Sequence, residues 1–108
     1  MPSPEVLQEI RAFVEERDWK QFHSPASLSR SIVIEAAELL EHFQWDEDFD
    51  RAAVLEELAD VATYAILLAD TLEADLDDVV LAKLAKTRAK YPVDLARGRS
   101  EKYDRLSD

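Results

Sequence analysis

The sequence predicts an all-α protein built as a four-helix bundle, and three observations carry that prediction. Apolar residues recur at helical spacing through four segments. Ser3-Pro4 and Ser24-Pro25 each place a capping hydroxyl before proline, a residue favoured at the first helical position. One Gly and four Pro in 108 residues are too few for the turns of a sheet protein.

The first helix is expected from its N-cap Ser3 to about Trp19, with Val6, Leu7, Ile10, Phe13, Val14 and Arg17 at helical spacing. Lys20 to His23 reads as a linker. Ser24-Pro25 opens a second helix to about Phe43. Gln44 to Asp50 has no helical period and reads as a loop, and Asp50 can cap a third helix from Arg51 to about Glu73. That helix would be roughly 34 Å long. Asp75 and Asp78 resemble a capping box opening a fourth helix to about Lys90. Tyr91-Pro92 stops it, because proline disfavours a helical residue before it. Residues 1–108 read as a single domain, with 92–108 as an irregular basic C-terminal segment.

Composition narrows the chemistry. The chain has no Cys, which excludes a disulfide frame, a thiolate nucleophile and a cysteine-built zinc site, and fits a cytoplasmic protein. Met1-Pro2-Ser3-Pro4-Glu5 has neither the basic nor the apolar region of a signal peptide. No apolar run approaches the roughly 18–20 residues that span a bilayer, so no membrane partner is expected. A net charge of −11 weighs against stable binding of nucleic acid. Eight of the thirteen cations nevertheless lie from Lys83 onward. An acidic site followed by a basic segment suits a metal-bridged anionic substrate, although complementary charge at helix ends gives the same pattern.

The acids can be placed around each helix at about 100° per residue. In the second helix Leu28, Ile32, Ala36, Leu39, Leu40 and Phe43 form an apolar stripe. Glu35 falls about 20° from its edge and Glu38 about 60° further round, while Arg30 and Glu41 point away. In the third helix the stripe runs from Leu68 through Val61, Ala65, Leu58, Ala69, Ala62 and Leu55 to Ile66. Glu57 again lies about 20° from the edge and Asp60 beyond it, with Glu56 and Asp70 on the far side. A single such pair is commonly a solvated edge. Two matched pairs brought together by packing would instead hold four carboxylates close enough to repel. A hard divalent cation relieves that repulsion, and Mg²⁺, with Mn²⁺ as substitute, is the expected occupant. A di-iron bundle would need Glu-x-x-His on two helices. Here Lys20 and Leu39 stand three residues before His23 and His42, so the motif is absent.

Glu35-Ala-Ala-Glu38 followed by Glu57-Leu-Ala-Asp60 resembles the ExxE…ExxD signature of the MazG-like all-α nucleotide pyrophosphohydrolases. The flanks Glu16 to His23, Glu41 to Trp45 and Lys90-Tyr91-Pro92 sharpen the resemblance, towards the single-domain branch with vertebrate members that cleave dCTP. The resemblance implies hydrolysis of a nucleoside triphosphate to the monophosphate and pyrophosphate, as house-cleaning of canonical or modified pyrimidine deoxynucleotides. It implies Glu35, Glu38, Glu57 and Asp60 as Mg²⁺ ligands, with Glu38, ahead of Glu35, to orient or deprotonate the attacking water. Trp19, Phe22, His23 and Trp45 would form the base pocket, although both tryptophans also fit as hydrophobic anchors at helix ends. Tyr64, between Glu57 and Asp60 around the helix, would contact a phosphate or sugar. Lys83, Lys86, Arg88 and Tyr91 would meet phosphates. Relatives self-associate as dimers or tetramers, and the third helix's stripe, about 160° wide, exceeds what one partner helix needs.

Two departures bear on substrate choice. Thr87 stands where many relatives have an asparagine four residues before Tyr-Pro, and Ile10 where the vertebrate members have a histidine. Two other readings are open: a non-catalytic helical interaction module that retains the fold, and a dUTPase-like or phosphoribosyl-ATP-cleaving relative. The short chain and the two Trp positions weigh against the latter.

Overall fold

Helix starts in this chain are written locally, and each is realised by hydrogen bonds. Helix α1 (Pro4–Glu16) begins with Ser3 Oγ accepting from Val6 N–H at 3.3 Å. Helix α2 (Pro25–Glu41) opens with a reciprocal box in which Ser24 Oγ accepts from Ser27 N–H at 3.0 Å and Ser27 Oγ from Ser24 N–H at 2.9 Å. Helix α3 (Arg51–Thr71) begins with Asp50 Oδ1 accepting from Ala52 and Ala53 N–H at 3.0 and 3.4 Å. Helix α4 (Leu76–Lys90) starts directly after Asp75. The computed structural model describes residues 1–45 and 47–100, and the described residues are all-helical, without strands.

Helix ends differ more from expectation. α1 stops at Glu16, short of Trp19, and α3 at Thr71, short of Glu73. Both finish in the same motif. Asp18 (φ 52°) and Glu73 (φ 55°) take the left-handed conformation usually given to glycine after a helix. Asp18 and Trp19 N–H donate back to Glu15 and Val14 carbonyls, each at 3.1 Å, and Glu73 and Ala74 N–H donate to Asp70 and Ala69 carbonyls at 3.0 and 2.9 Å. Without a glycine, the sequence carries no stop signal at either place. The linker holds a single 3-10 turn, Lys20–Phe22. Val93–Ala96 forms a short helix, α5, where irregular chain is expected, and residues 101–108 lie outside the described residues.

The chain divides into two compact units, residues 1–76 and a second beginning at Asp77. In the first, α2 runs against α3, and α1 meets α3 over a smaller area. Val14, Leu28 and Leu67 form the core, with Ile10, Tyr64 and Leu68 packed on it. Leu67 lies outside the α3 stripe read from sequence, on the side of Asp60. It is buried because α3 faces α1 there as well as α2 along its stripe. Part of that stripe stays open: Leu55 and Leu58 are exposed, as are Val33, Ile34 and Leu40 of α2. Arg11 clamps α1 to α3 by donating from Nε to both Asp70 oxygens at 3.1 Å, with Nη2 also on Oδ1. Among the described residues no helix is long and apolar enough to cross a membrane.

Candidate active site

Glu35 comes from α2, and Glu57 and Asp60 from successive turns of α3. Because these helices pack together, one carboxylate oxygen from each of the three lies within 4.8 Å of the others. Glu35 Oε2 and Glu57 Oε2 are buried and have no hydrogen-bond partner. Desolvation first, then the neighbouring Glu38 carboxyl, then Glu57 and Asp60, push the Glu35 carboxyl up to about 7. Glu38 lies one turn along α2 and is thus close enough to act on Glu35, although it is outside the group of three.

These features fit a hard divalent cation. The donor set is all oxygen, two of its oxygens lack a donor, and the negative charges are uncompensated within the group. A cation would satisfy the orphaned oxygens and remove the repulsion at once.

A cavity of about 650 Å³ opens beside this group, with Asp60 in its wall. From α1 it is lined by Glu9, Ile10, Phe13, Val14 and Glu16, with Arg17 at the helix's C-cap, and from α3 by Thr63, Tyr64 and Leu67. Trp19 and His23, at either end of the 3-10 turn, complete the wall. The fold thus brings Trp19, His23, Tyr64 and Asp60 of the sequence-derived candidates to one place. Trp19 stands edge-to-face on Phe13, centroids 5.5 Å apart, and the Arg17 guanidinium lies 3.8 Å over the Phe13 ring.

Two other candidates of the first unit lie elsewhere. Phe22 is 66% exposed and Trp45, in the α2–α3 loop, 89% exposed, and neither lines the cavity. Lys83, Lys86 and Arg88 are on α4 and Tyr91 follows it, all in the second unit. Sequence reading missed Phe13, Arg17 and Thr63 as cavity residues. A signal existed: Ile10, Phe13 and Arg17 share one face of α1, as Asp60, Thr63, Tyr64 and Leu67 share one face of α3.

Known proteins resemble this chain in sequence and in fold. The model of the MazG-like family matches residues 30–106. The chain is 42% identical to mouse dCTP pyrophosphatase 1, over 96% of its own length and 70% of that protein. Human dCTP pyrophosphatase 1 is 43% identical over the same shares. The crystal structure of a pyrophosphatase from Archaeoglobus fulgidus superimposes with a TM-score of 0.75 at 40% identity, covering 82% of this chain and 90% of that one. With a family match across more than half its length and relatives of this identity, the chain belongs to the MazG-like family.

Proposed function

We infer that the protein is a nucleoside triphosphate pyrophosphohydrolase that cleaves its substrate to the monophosphate and pyrophosphate. It acts in house-cleaning of pyrimidine deoxynucleotides such as dCTP, the nucleotide named in its mouse, rat, bovine and human relatives. The observation that carries this reading is Asp60, which belongs to both the carboxylate group and the aromatic cavity. One side chain thereby joins a place for a cation to a place for a base.

In this reading Glu35, Glu38, Glu57 and Asp60 hold Mg²⁺, with Mn²⁺ able to substitute. When bound, the ion offsets charge on the phosphates and lowers the pKa of a coordinated water. Glu38, ahead of Glu35, is assigned to orient the attacking water and accept its proton. Trp19 offers a face for the base, and stacking alone has little base preference. Discrimination therefore falls to His23, with a donor and an acceptor on its ring. The Tyr64 hydroxyl serves a phosphate or the sugar. Lys83, Lys86, Arg88 and Tyr91 are assigned to phosphates on their charge and hydrogen-bonding groups, and Phe22 and Trp45 to the base on their aromatic rings. Ile10, an apolar cavity residue, offers no hydrogen bond where the vertebrate members have a histidine.

Self-association as a dimer or tetramer accompanies this reading, supported by the exposed Val33, Ile34 and Leu40 of α2. A cytoplasmic location fits the absence of Cys.

The test is direct. Purified protein with Mg²⁺ is given a panel of deoxynucleoside and nucleoside triphosphates, and pyrophosphate and monophosphate are measured. Release from at least one pyrimidine deoxynucleotide is expected, with Glu38→Gln lowering kcat by at least about 100-fold. No pyrophosphate from any member of the panel would overturn this reading.

A further inference from the structure

We propose that Asp18 and Gln21 are positioning residues that clamp the chain between α1 and α2 so that Trp19 and His23 face the same cavity. The proposal rests on the reading of that cavity as the base pocket.

Asp18 is where the chain leaves α1, and its left-handed backbone (φ 52°) is costly for a side-chain-bearing residue. Glycine would supply that conformation more cheaply. Glycine could not supply the carboxylate, and here the carboxylate is used. The Gln21 side-chain amide donates to Asp18 Oδ2 at 3.1 Å and to the Asp18 carbonyl oxygen at 2.9 Å. One amide nitrogen thus grips both the backbone and the side chain of the left-handed residue.

Gln21 sits in the middle of the 3-10 turn Lys20–Phe22, between Trp19 and His23, and does not line the cavity. The far end of the turn is also tied. His23 N–H donates to the Lys20 carbonyl at 3.0 Å, and Ser27 Oγ donates to the Phe22 carbonyl at 2.9 Å from the first turn of α2. Trp19 to His23 is therefore held at its entrance by the Asp18–Gln21 pair and at its exit by Ser27. Trp19 itself is 45% exposed, and its edge-to-face contact with Phe13 holds one side of the ring without enclosing it. Without the clamp, a nucleotide would have to order this segment on binding, which weakens affinity without touching the chemistry of cleavage.

A solely structural role predicts that stability and activity fall together, whereas a clamp separates them. In Asp18→Gly, relief of the left-handed cost roughly offsets the added freedom of the unfolded chain, so Tm is expected within about 3 °C of the parent. KM is expected to rise about three- to tenfold, with kcat within about twofold. Gln21→Ala is expected to raise KM similarly. Asp18→Asn, which tolerates the same backbone and keeps an acceptor, should restore it. Glu73→Gly, the same change at the end of α3, is expected to leave KM unchanged. Trp19→Ala tests the pocket itself and should raise KM beyond any of these.

If Trp19→Ala raises KM and neither Asp18→Gly nor Gln21→Ala does, the clamp is wrong and the pocket stands. If Trp19→Ala leaves KM unchanged, the pocket reading fails and takes the clamp with it. A loss of Tm in Asp18→Gly and Gln21→Ala alike, with kcat falling alongside, would make both residues structural only and overturn the proposal.

Discussion

Glu35 and Glu57 reach across the α2–α3 interface until their carboxylate oxygens lie within 4.8 Å, each with one oxygen buried and unpartnered. Like charges so placed oppose the fold that creates them, and the metal-free protein should show this. Glu35 is raised from 4.5 to about 7, so between those values the folded state binds more protons than the unfolded state. Stability therefore falls as pH rises from about 4.5 to about 7. Thermal melts in chelator should show that decline, and Glu35→Gln should flatten it and raise Tm at pH 7.5. With millimolar Mg²⁺ the ranking should reverse, because the parent, with all four carboxylates, gains more of the ion's stabilisation.

The Arg11–Asp70 pair has the opposite sign. The Arg11 guanidinium holds the Asp70 carboxyl below its ordinary range, so the contribution is present above the unfolded value near 3.8 and lost as pH falls through the lower folded value. Asp70→Asn should lower Tm by less than about 5 °C at pH 7, as expected for a partly exposed pair. The difference from the parent should shrink in acid and in high salt, and a difference unchanged by either would contradict the ionic account.

Trp19 lines the cavity and Trp45 does not. Removing a stacking ring costs about 1–3 kcal/mol per base, or roughly 5- to 150-fold in affinity. Trp19→Ala should raise KM within that range and Trp45→Ala by less. Equal effects would show that Trp45, from the exposed α2–α3 loop, contributes as much to the base as the cavity residue Trp19.

Leu28, only 1% exposed, is the best-buried side chain of the small core formed with Val14 and Leu67. Leu28→Ala should destabilise by about 2–5 kcal/mol, readable from denaturant midpoints. A loss under about 1 kcal/mol would mean that the site collapses around the smaller residue.

Val33, Ile34 and Leu40 leave apolar side chains on the outside of α2. If they are an interface between copies, Ile34→Glu with Leu40→Glu should shift the protein to monomer in sedimentation or light scattering. Unchanged mass would place the interface elsewhere.

Much of the chain's organisation is legible because it is local. Ser3, Ser24 and Asp50 each cap the helix their position announces, since a cap is a contact over two or three residues. The acid pairs at Glu35/Glu38 and Glu57/Asp60 follow from helical spacing alone. Helix ends at Asp18 and Glu73 escaped detection because both residues adopt a backbone that glycine normally signals.

By itself the sequence determined four long helices, their starting points and which acids share a face, because each depends on neighbours within one or two turns. Tertiary structure decided the rest. Packing of α2 on α3 chose Glu35, Glu57 and Asp60 as the three that converge, and left Glu38 beside them. Contact of α1 with α3 buried Leu67 on what reads as the polar side, and turned Phe13, Arg17 and Thr63 into cavity walls. Helical periodicity assigns each helix one buried face, whereas α3 packs against two neighbours at once. That second face depends on where another helix lies, which no spacing within α3 records.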